Sequence, residues 1–207
     1  MLTPKQIRIF GAFLKQPYAE KTYREIKEFS KEKSNSVIQK AIAKFLSEGL
    51  VAKRKVGNIF LHAINLENTP VFSYFDILAK EQLPHLAKLC LRQIVKEISS
   101  VSFVSIVVFG SYAEGKQKES SDLDIALFVN NKTDKRECEL AMKDAEMKCA
   151  VAIHTYVFTK SEMLQMLKDK DENLGKQIAR NHIVIYNPAS FYSIINEGIK
   201  RGFKPVC

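Results

Sequence analysis

This chain has little that would suit the outside of a cell or a membrane. Its four cysteines, Cys90, Cys138, Cys149 and Cys207, stand far apart and form no C-x-x-C pair. That spacing argues against a disulfide framework or a thiolate metal site and for reduced thiols inside a cell. The four histidines, His62, His85, His154 and His182, are equally scattered. No apolar stretch approaches the roughly 20 residues of a membrane span. The opening MLTPKQIRIF lacks the charged head, apolar body and small-residue cleavage site of a signal peptide. Internal repeats and low-complexity tracts are also missing. The expectation is a cytoplasmic protein with no membrane partner. Acid is scarce at one end only. Residues 1–64 hold 13 Lys/Arg against 5 Asp/Glu, whereas residues 65–207 hold 19 against 18. Nearly all of the net charge of +9 therefore sits in the first third, as in a polyanion-binding module joined to a near-neutral larger one.

At 207 residues and 46% hydrophobic content, the chain can bury one good core or two small ones. Ile7, Phe10, Phe13 and Leu14 are spaced for a helix over 4–15 that starts at Thr3-Pro4. A second helix is expected over Thr22–Phe29, capped by Thr22, with Ile26 and Phe29 inward. A third is expected over Ser34–Glu48, with Val37, Ile38, Ala41, Ile42, Phe45 and Leu46 buried and Gly49 as its stop. VAKRKVGNIFLHAI then reads as a hairpin turning at Gly57-Asn58. Residues 65–74 read as a connector. Phe75–Ile98 reads as mostly helical, divided near Pro84, and serves either as a cover for a sheet or as a homodimer seam. Further on, the pattern gives a helix over Asp134–Lys148 with Leu140, Met142 and Met147 inside, and a strand over Cys149–Phe158. It then gives a helix capped by Ser161, a helix over Leu174–Arg180, a strand over His182–Tyr186 and a closing helix over Ala189–Lys200.

Three helices and a hairpin are the order of a winged helix-turn-helix, and LSEGLVAKRKVGNIFLHAIN resembles the recognition-helix-to-wing passage of winged-helix regulators. That resemblance implies a partner in double-stranded DNA. The third helix would enter the major groove, with Ser34, Asn35, Ser36, Gln39 and Lys40 facing bases or phosphates. Lys44 would join them, and Lys53, Arg54 and Lys55 would hold the backbone beside the wing. The alternative is a solvated helix face on a module that makes only protein contacts.

The most informative stretch is 109–129, FGSYAEGKQKESSDLDIALFV. The apolar run Val101–Phe109 ends in Gly110-Ser111. Eleven residues beyond Ser111, Asp122 and Asp124 bracket Leu123 at the head of a second apolar run. Alternate residues of a strand share a face, so the two carboxylates can share a hard cation such as Mg2+ and leave room for phosphate oxygens. Gly110 allows close approach of a phosphate to the backbone, and Ser111 adds a hydroxyl and an amide donor.

The block resembles the signature of the DNA polymerase β-like nucleotidyltransferase superfamily, in particular the minimal forms with GS-x-A-x-G followed by S-D-x-D. Gly110, Ser111, Ala113, Gly115, Ser121, Asp122 and Asp124 fill those places. YVFTKSEMLQML and KQIARNHIVIYNP resemble the C-terminal end of archaeal-type nucleotidyltransferase-domain proteins fused to a winged helix. The resemblance implies an α+β protein: a winged helix over 1–66 and a nucleotidyltransferase fold with a mixed sheet over 70–207. It implies an NTP as substrate or ligand and Mg2+ or Mn2+ on Asp122 and Asp124, with Gly110, Ser111 and Ser121 binding nucleotide.

Active members usually carry a third carboxylate on the next strand. Here that strand reads Val151, Ala152, Ile153, His154, Thr155, Tyr156, and His154 stands nearest the missing acid. His154 has three readings: a general base, a ligand to a softer metal, or a strand histidine without chemistry. The function is accordingly either nucleoside monophosphate transfer to an unidentified acceptor or DNA-binding regulation through a degraded transferase domain. An antitoxin-like partner role is a third reading, less natural with a fused winged helix.

Overall fold

The structure is a computed structural model that describes residues 1–14, 16–100 and 102–205. The Val101 end of the apolar run and Cys207 lie outside the described residues. The chain divides into two compact units between Leu78 and Ala79.

The first unit contains α1 (Pro4–Phe10), a 3-10 turn over Gly11–Phe13, β1 (Lys21–Thr22), α2 (Tyr23–Ser30), α3 (Asn35–Ser47), β2 (Val51–Val56) and β3 (Ile59–Ile64). Thr3 and Thr22 close capping boxes with Gln6 and Glu25, so each helix starts where its orphan amides find a side-chain acceptor. Gly57 takes a left-handed φ of 57° in the two-residue turn between Val56 and Ile59. The sheet order is β1-β3-β2, all antiparallel. Strand β1 is too short to show a period in sequence. Phe10 sits at the centre of the core, its ring edge-on to Phe45 at 5.1 Å and to Tyr74 at 5.8 Å. Ile26 is buried, but Phe29 is 42% exposed, contrary to its expected inward position.

The second half of the stretch expected as a connector is helix: α4 (Pro70–Gln82) begins at Pro70, where a proline costs no hydrogen bond. Asn65 and Asn68 donate to the carbonyls of Gly49 and Glu48, holding the short link that remains. Pro84 separates α4 from α5 (His85–Glu97). No helix among the described residues is long and apolar enough to cross a membrane.

The second unit is a four-stranded mixed sheet, β6-β5-β4-β7. It comprises β4 (Ser105–Phe109), α6 (Gly110–Glu114), β5 (Leu123–Val129), α7 (Lys132–Met147), β6 (Ile153–Thr159), α8 (Lys160–Lys168), α9 (Leu174–Arg180), β7 (Ile183–Tyr186) and α10 (Pro188–Lys200). Strand β4 runs antiparallel to β5 and β7, and β5 runs parallel to β6. One face carries Ile106, Val108, Leu123, Ile125, Leu127 and Val157, packed with Ala87, Cys90, Leu91 and Ile94 of α5 and Cys138, Met142 and Ala145 of α7. Helix α5 thus covers the sheet, though Leu86 and Leu89 remain exposed. Leu140 and Met147, expected inside α7, are 57% and 78% exposed. The buried stripe runs instead through Cys138, Met142 and Ala145, at the four- and three-residue steps a helix face requires. The expected strand over Cys149–Phe158 begins only at Ile153, and α8 is capped by Thr159 rather than Ser161. Burial pushes the Cys138 thiol up to about 11 and the Cys149 thiol up to about 12, which keeps both protonated and unreactive near neutrality. His182 is buried with Nδ1 at 2.9 Å from the Ile178 carbonyl and Nε2 at 3.1 Å from the Tyr192 hydroxyl. Burial drives it down to about 4, so it is a neutral structural link between α9 and α10.

Candidate functional site

At the head of β5 the register brings three chemistry-bearing residues together. Asp124 pairs with Phe109 of β4 on one side and with His154 of β6 on the other. His154 Nδ1 lies 3.7 Å from Asp124 Oδ1, and Nε2 lies 3.7 Å from Asp122 Oδ2. Both carboxylates therefore reach one imidazole ring and stand on the same side of the strand, as the D-x-D spacing requires. At 3.7 Å these contacts are longer than hydrogen bonds. Burial holds the Asp124 carboxyl above its ordinary range; His154 opposes that rise and Asp122 adds to it.

Gly110 is built into the same corner. Its φ is 65°, and a Cβ there would stand 2.2 Å from Asp124 Oδ2. The side chain that exploits the missing Cβ is thus the Asp124 carboxylate itself. The strand-end glycine and the second aspartate fit as a pair. Ser111 follows Gly110 in α6, and its carbonyl accepts from the Lys116 amide at 2.9 Å. The Ser121 hydroxyl accepts from the Lys118 amide at 2.8 Å and so closes the loop that delivers Asp122. Glu114 is ion-paired with Lys116 at 2.8 Å. A cleft of about 670 Å3 opens beside Asp122 between the start of α5, Tyr112, the 117–121 loop and residues 150–152. Ser121 and Asp122 on its wall are legible in the sequence, but the cleft itself is not, because its walls are contributed by three distant segments.

Among the described residues, no three His, Cys, Asp or Glu side chains form a group that could hold a metal ion. The donor set is a carboxylate pair open on one side. Such a pair fits a hard divalent cation whose other positions go to water and phosphate oxygens, whereas the neighbouring imidazole is a better ligand for Mn2+ than for Mg2+.

Residues 90–190 match the family model described as Polymerase beta, Nucleotidyltransferase. That segment is a polymerase β-like nucleotidyltransferase domain. No curated protein matches the chain. Among solved structures, a chain from a toxin-antitoxin crystal structure with AMP-PNP is similar at 15% identity, covering 53% of this chain and 82% of that one with a TM-score of 0.34. Within the nucleotidyltransferase domain, the matched residues include β4 to β6 and hence Gly110, Ser111, Ser121, Asp122, Asp124 and His154. Domains of this family generally work on NTPs with a divalent metal.

In the first unit, Ser34 is the N-cap position of α3 and is exposed together with Asn35, Ser36, Gln39 and Lys40. Asn35 Oδ1 accepts from Lys27 Nζ at 2.6 Å and from the Tyr23 hydroxyl at 3.2 Å, so it is already engaged. Lys44 pairs with Glu48 at 2.9 Å, and Lys53 lies 4.5 Å above the Phe60 ring. Arg54 forms a two-toothed pair with Glu20. Lys55 is exposed on the same strand. Arg24, Lys27, Lys31 and Lys33 line a hollow at the end of α2 together with Glu28 and Glu32, and Arg24 is paired with Glu28.

Proposed function

We propose that the chain binds an NTP with a divalent cation at Asp122 and Asp124 and transfers a nucleoside monophosphate to an acceptor hydroxyl. The observation that carries this reading is the convergence of Asp122, Asp124 and His154 beside the Gly110 turn, within a segment that matches the nucleotidyltransferase family. When bound, the cation neutralises charge on the phosphates and on the departing pyrophosphate. Asp122 and Asp124 hold it, and the Gly110-Ser111 turn positions the terminal phosphates. The acceptor oxygen bonds to the α-phosphorus as the bond to the β-phosphate breaks. Pyrophosphate leaves, and the acceptor proton passes to His154. Positioning and charge neutralisation supply most of the effect.

The test is incubation of the full chain with α-labelled NTPs and Mg2+ or Mn2+, with and without DNA. Label appearing on an acceptor supports the transferase. Label that binds in a divalent-dependent way but never moves supports a second reading, a nucleotide-sensing regulator. That second reading is favoured by one observation: an imidazole stands where a third carboxylate is usual. Absence of any divalent-dependent binding overturns both.

We also propose that the first unit is a winged helix-turn-helix that binds double-stranded DNA through α3 and the β2–β3 wing. Support comes from the order of helices and hairpin, the net charge of +8 over residues 1–64 and the exposed start of α3. Counterion release makes such binding steeply salt-dependent. Replacing Lys53, Arg54 and Lys55 together by Ala should lower the slope of log affinity against log salt by about 2 to 3 and weaken all sequences alike. Titrations of several duplexes at several salt concentrations check this. Salt-insensitive binding, or none, would sink the DNA reading.

A further inference from the structure

The first unit holds a hollow that duplex binding does not explain. About 580 Å3 opens between α3 and the β2–β3 hairpin. Ile42 and Leu46 line it from α3. Ile59 and Phe60 line it from the hairpin, 53% and 46% exposed. Phosphates and base edges are polar, so apolar walls between helix and wing add little to a grip on them. A cavity of this size, mostly apolar with a few polar groups, has the makeup of a small-molecule site.

The polar groups that matter come from one cross-strand pair. Lys53 of β2 and His62 of β3 are register partners, so they share a face of the sheet, and both line the hollow. His62 Nδ1 lies 3.2 Å from the Lys21 carbonyl. A carbonyl only accepts, so Nδ1 carries the proton and Nε2 is left as a bare acceptor. No donor among the described residues meets Nε2, although His62 is only 4% exposed. Burial holds the ring below the ordinary histidine range, which keeps it neutral near pH 7. Lys53 Nζ lies 4.5 Å over the Phe60 ring, and no carboxylate among the described residues pairs with it. Arg24 also lines the hollow, but it is paired with Glu28.

We infer that this hollow binds a small aromatic carboxylate that carries a ring N–H or hydroxyl. The ring lies among Leu46, Ile59 and Phe60, the N–H or hydroxyl donates to His62 Nε2, and the carboxylate meets Lys53. One unpaired cation suits a monoanion better than a chain of phosphates. The buried bare acceptor favours a ligand with a donor over a plain hydrocarbon acid, because leaving a buried acceptor unmet is costly. An occupant lies between α3 and the wing and takes Lys53 from the phosphate backbone, so it weakens duplex binding. That consequence, unlike the site itself, rests on the DNA reading of the first unit.

The experiment titrates the isotope-labelled full chain with indole-3-acetate while its amide NMR shifts are followed. Two analogues each lack one feature: 3-methylindole has no carboxylate, and 1-naphthaleneacetate has no N–H. Indole-3-acetate should saturate one site with a dissociation constant of about 1 mM or tighter. The shifts should centre on the second half of α3 and on the hairpin. Each analogue should bind about 3- to 10-fold more weakly. Lys53→Met keeps an apolar stem over Phe60 and removes the charge. It should lower indole-3-acetate to the affinity of 3-methylindole and leave 3-methylindole itself unchanged. No saturation by about 10 mM, shifts spread over the basic surface, or equal binding of all three probes would overturn the site. With indole-3-acetate at about ten times its dissociation constant, duplex affinity should fall about tenfold. Duplex affinity unchanged by the bound probe would overturn the link to DNA. A protein that binds the probe but no duplex at all would defeat the DNA reading and leave the ligand site standing.

Discussion

Replacing both Asp122 and Asp124 by Asn should abolish divalent-dependent NTP binding and leave the fold intact. Asn is close to Asp in shape, so it preserves the contact of residue 124 with Gly110 while removing the charge that attracts the cation. The His154 ring lies 3.7 Å from each of the two carboxylates, which repel one another when both are charged. Partial burial of Asp124 adds a desolvation cost to its charged form. The double variant should therefore unfold at the same denaturant concentration as the wild type or slightly higher. Calorimetric titration with NTP and Mg2+, paired with denaturant unfolding, checks both halves. Retention of divalent-dependent binding would move the metal site elsewhere.

The raised Asp124 pKa gives that prediction a pH dependence. A carboxyl that holds its proton more tightly when folded than when unfolded makes the folded state bind more protons between the two pKa values. Stability then falls as pH rises through that window, and the cost is fully present above the folded pKa. In metal-free protein, the step assigned to Asp124 should appear above the ordinary carboxyl range as a loss of stability with rising pH. Asp124→Asn alone should remove it. Unfolding curves collected across that range read the difference directly.

How much of this was legible in the sequence depends on the range of the interaction. The D-x-D spacing fixed the shared side of Asp122 and Asp124, because strand alternation is local. His154 could be placed near them only by counting along the next apolar run, and the parallel register of β5 with β6 now pairs it with Asp124. Capping by Thr22 was readable because the T-x-x-E box is local, whereas Thr159 was missed in favour of Ser161 although Glu162 follows Thr159 by the same three residues. Hydrophobicity alone turns Leu140 and Met147 inward. The packing of α7 on α5 chose Cys138 and Ala145 instead, a choice made by tertiary contacts that no window of sequence contains. The engagement of Arg54 with Glu20, 34 residues away, was hidden for the same reason. So was the contact of Tyr156 with Phe109, 47 residues away, which the sheet order brings about.

In sequence, Gly110 offers room for a phosphate, and the structure adds a second demand that makes the strongest single-residue test. An alanine there meets two separate penalties. The first is backbone strain, since φ is 65°, and the left-handed region costs a residue with a Cβ about 1–2 kcal/mol. The second is steric, since the new methyl would stand 2.2 Å from Asp124 Oδ2 and 3.1 Å from its Cγ. Strain could be relieved only by turning the Asp124 carboxylate out of the site. Gly115 supplies the control: its φ is 70°, and nothing lies within 4 Å of a Cβ built on it. Gly110→Ala and Gly115→Ala should therefore share a stability loss of about 1–2 kcal/mol from the backbone. Only Gly110→Ala should also weaken divalent-dependent NTP binding, by at least about tenfold, equivalent to about 1.4 kcal/mol. Unfolding and calorimetry on the two variants separate the penalties. Equal loss of NTP binding in both would mean that loop integrity, rather than the Asp124 carboxylate held against Gly110, governs the site. Full NTP binding by Gly110→Ala would show that the position of this carboxylate does not matter to the ligand at all.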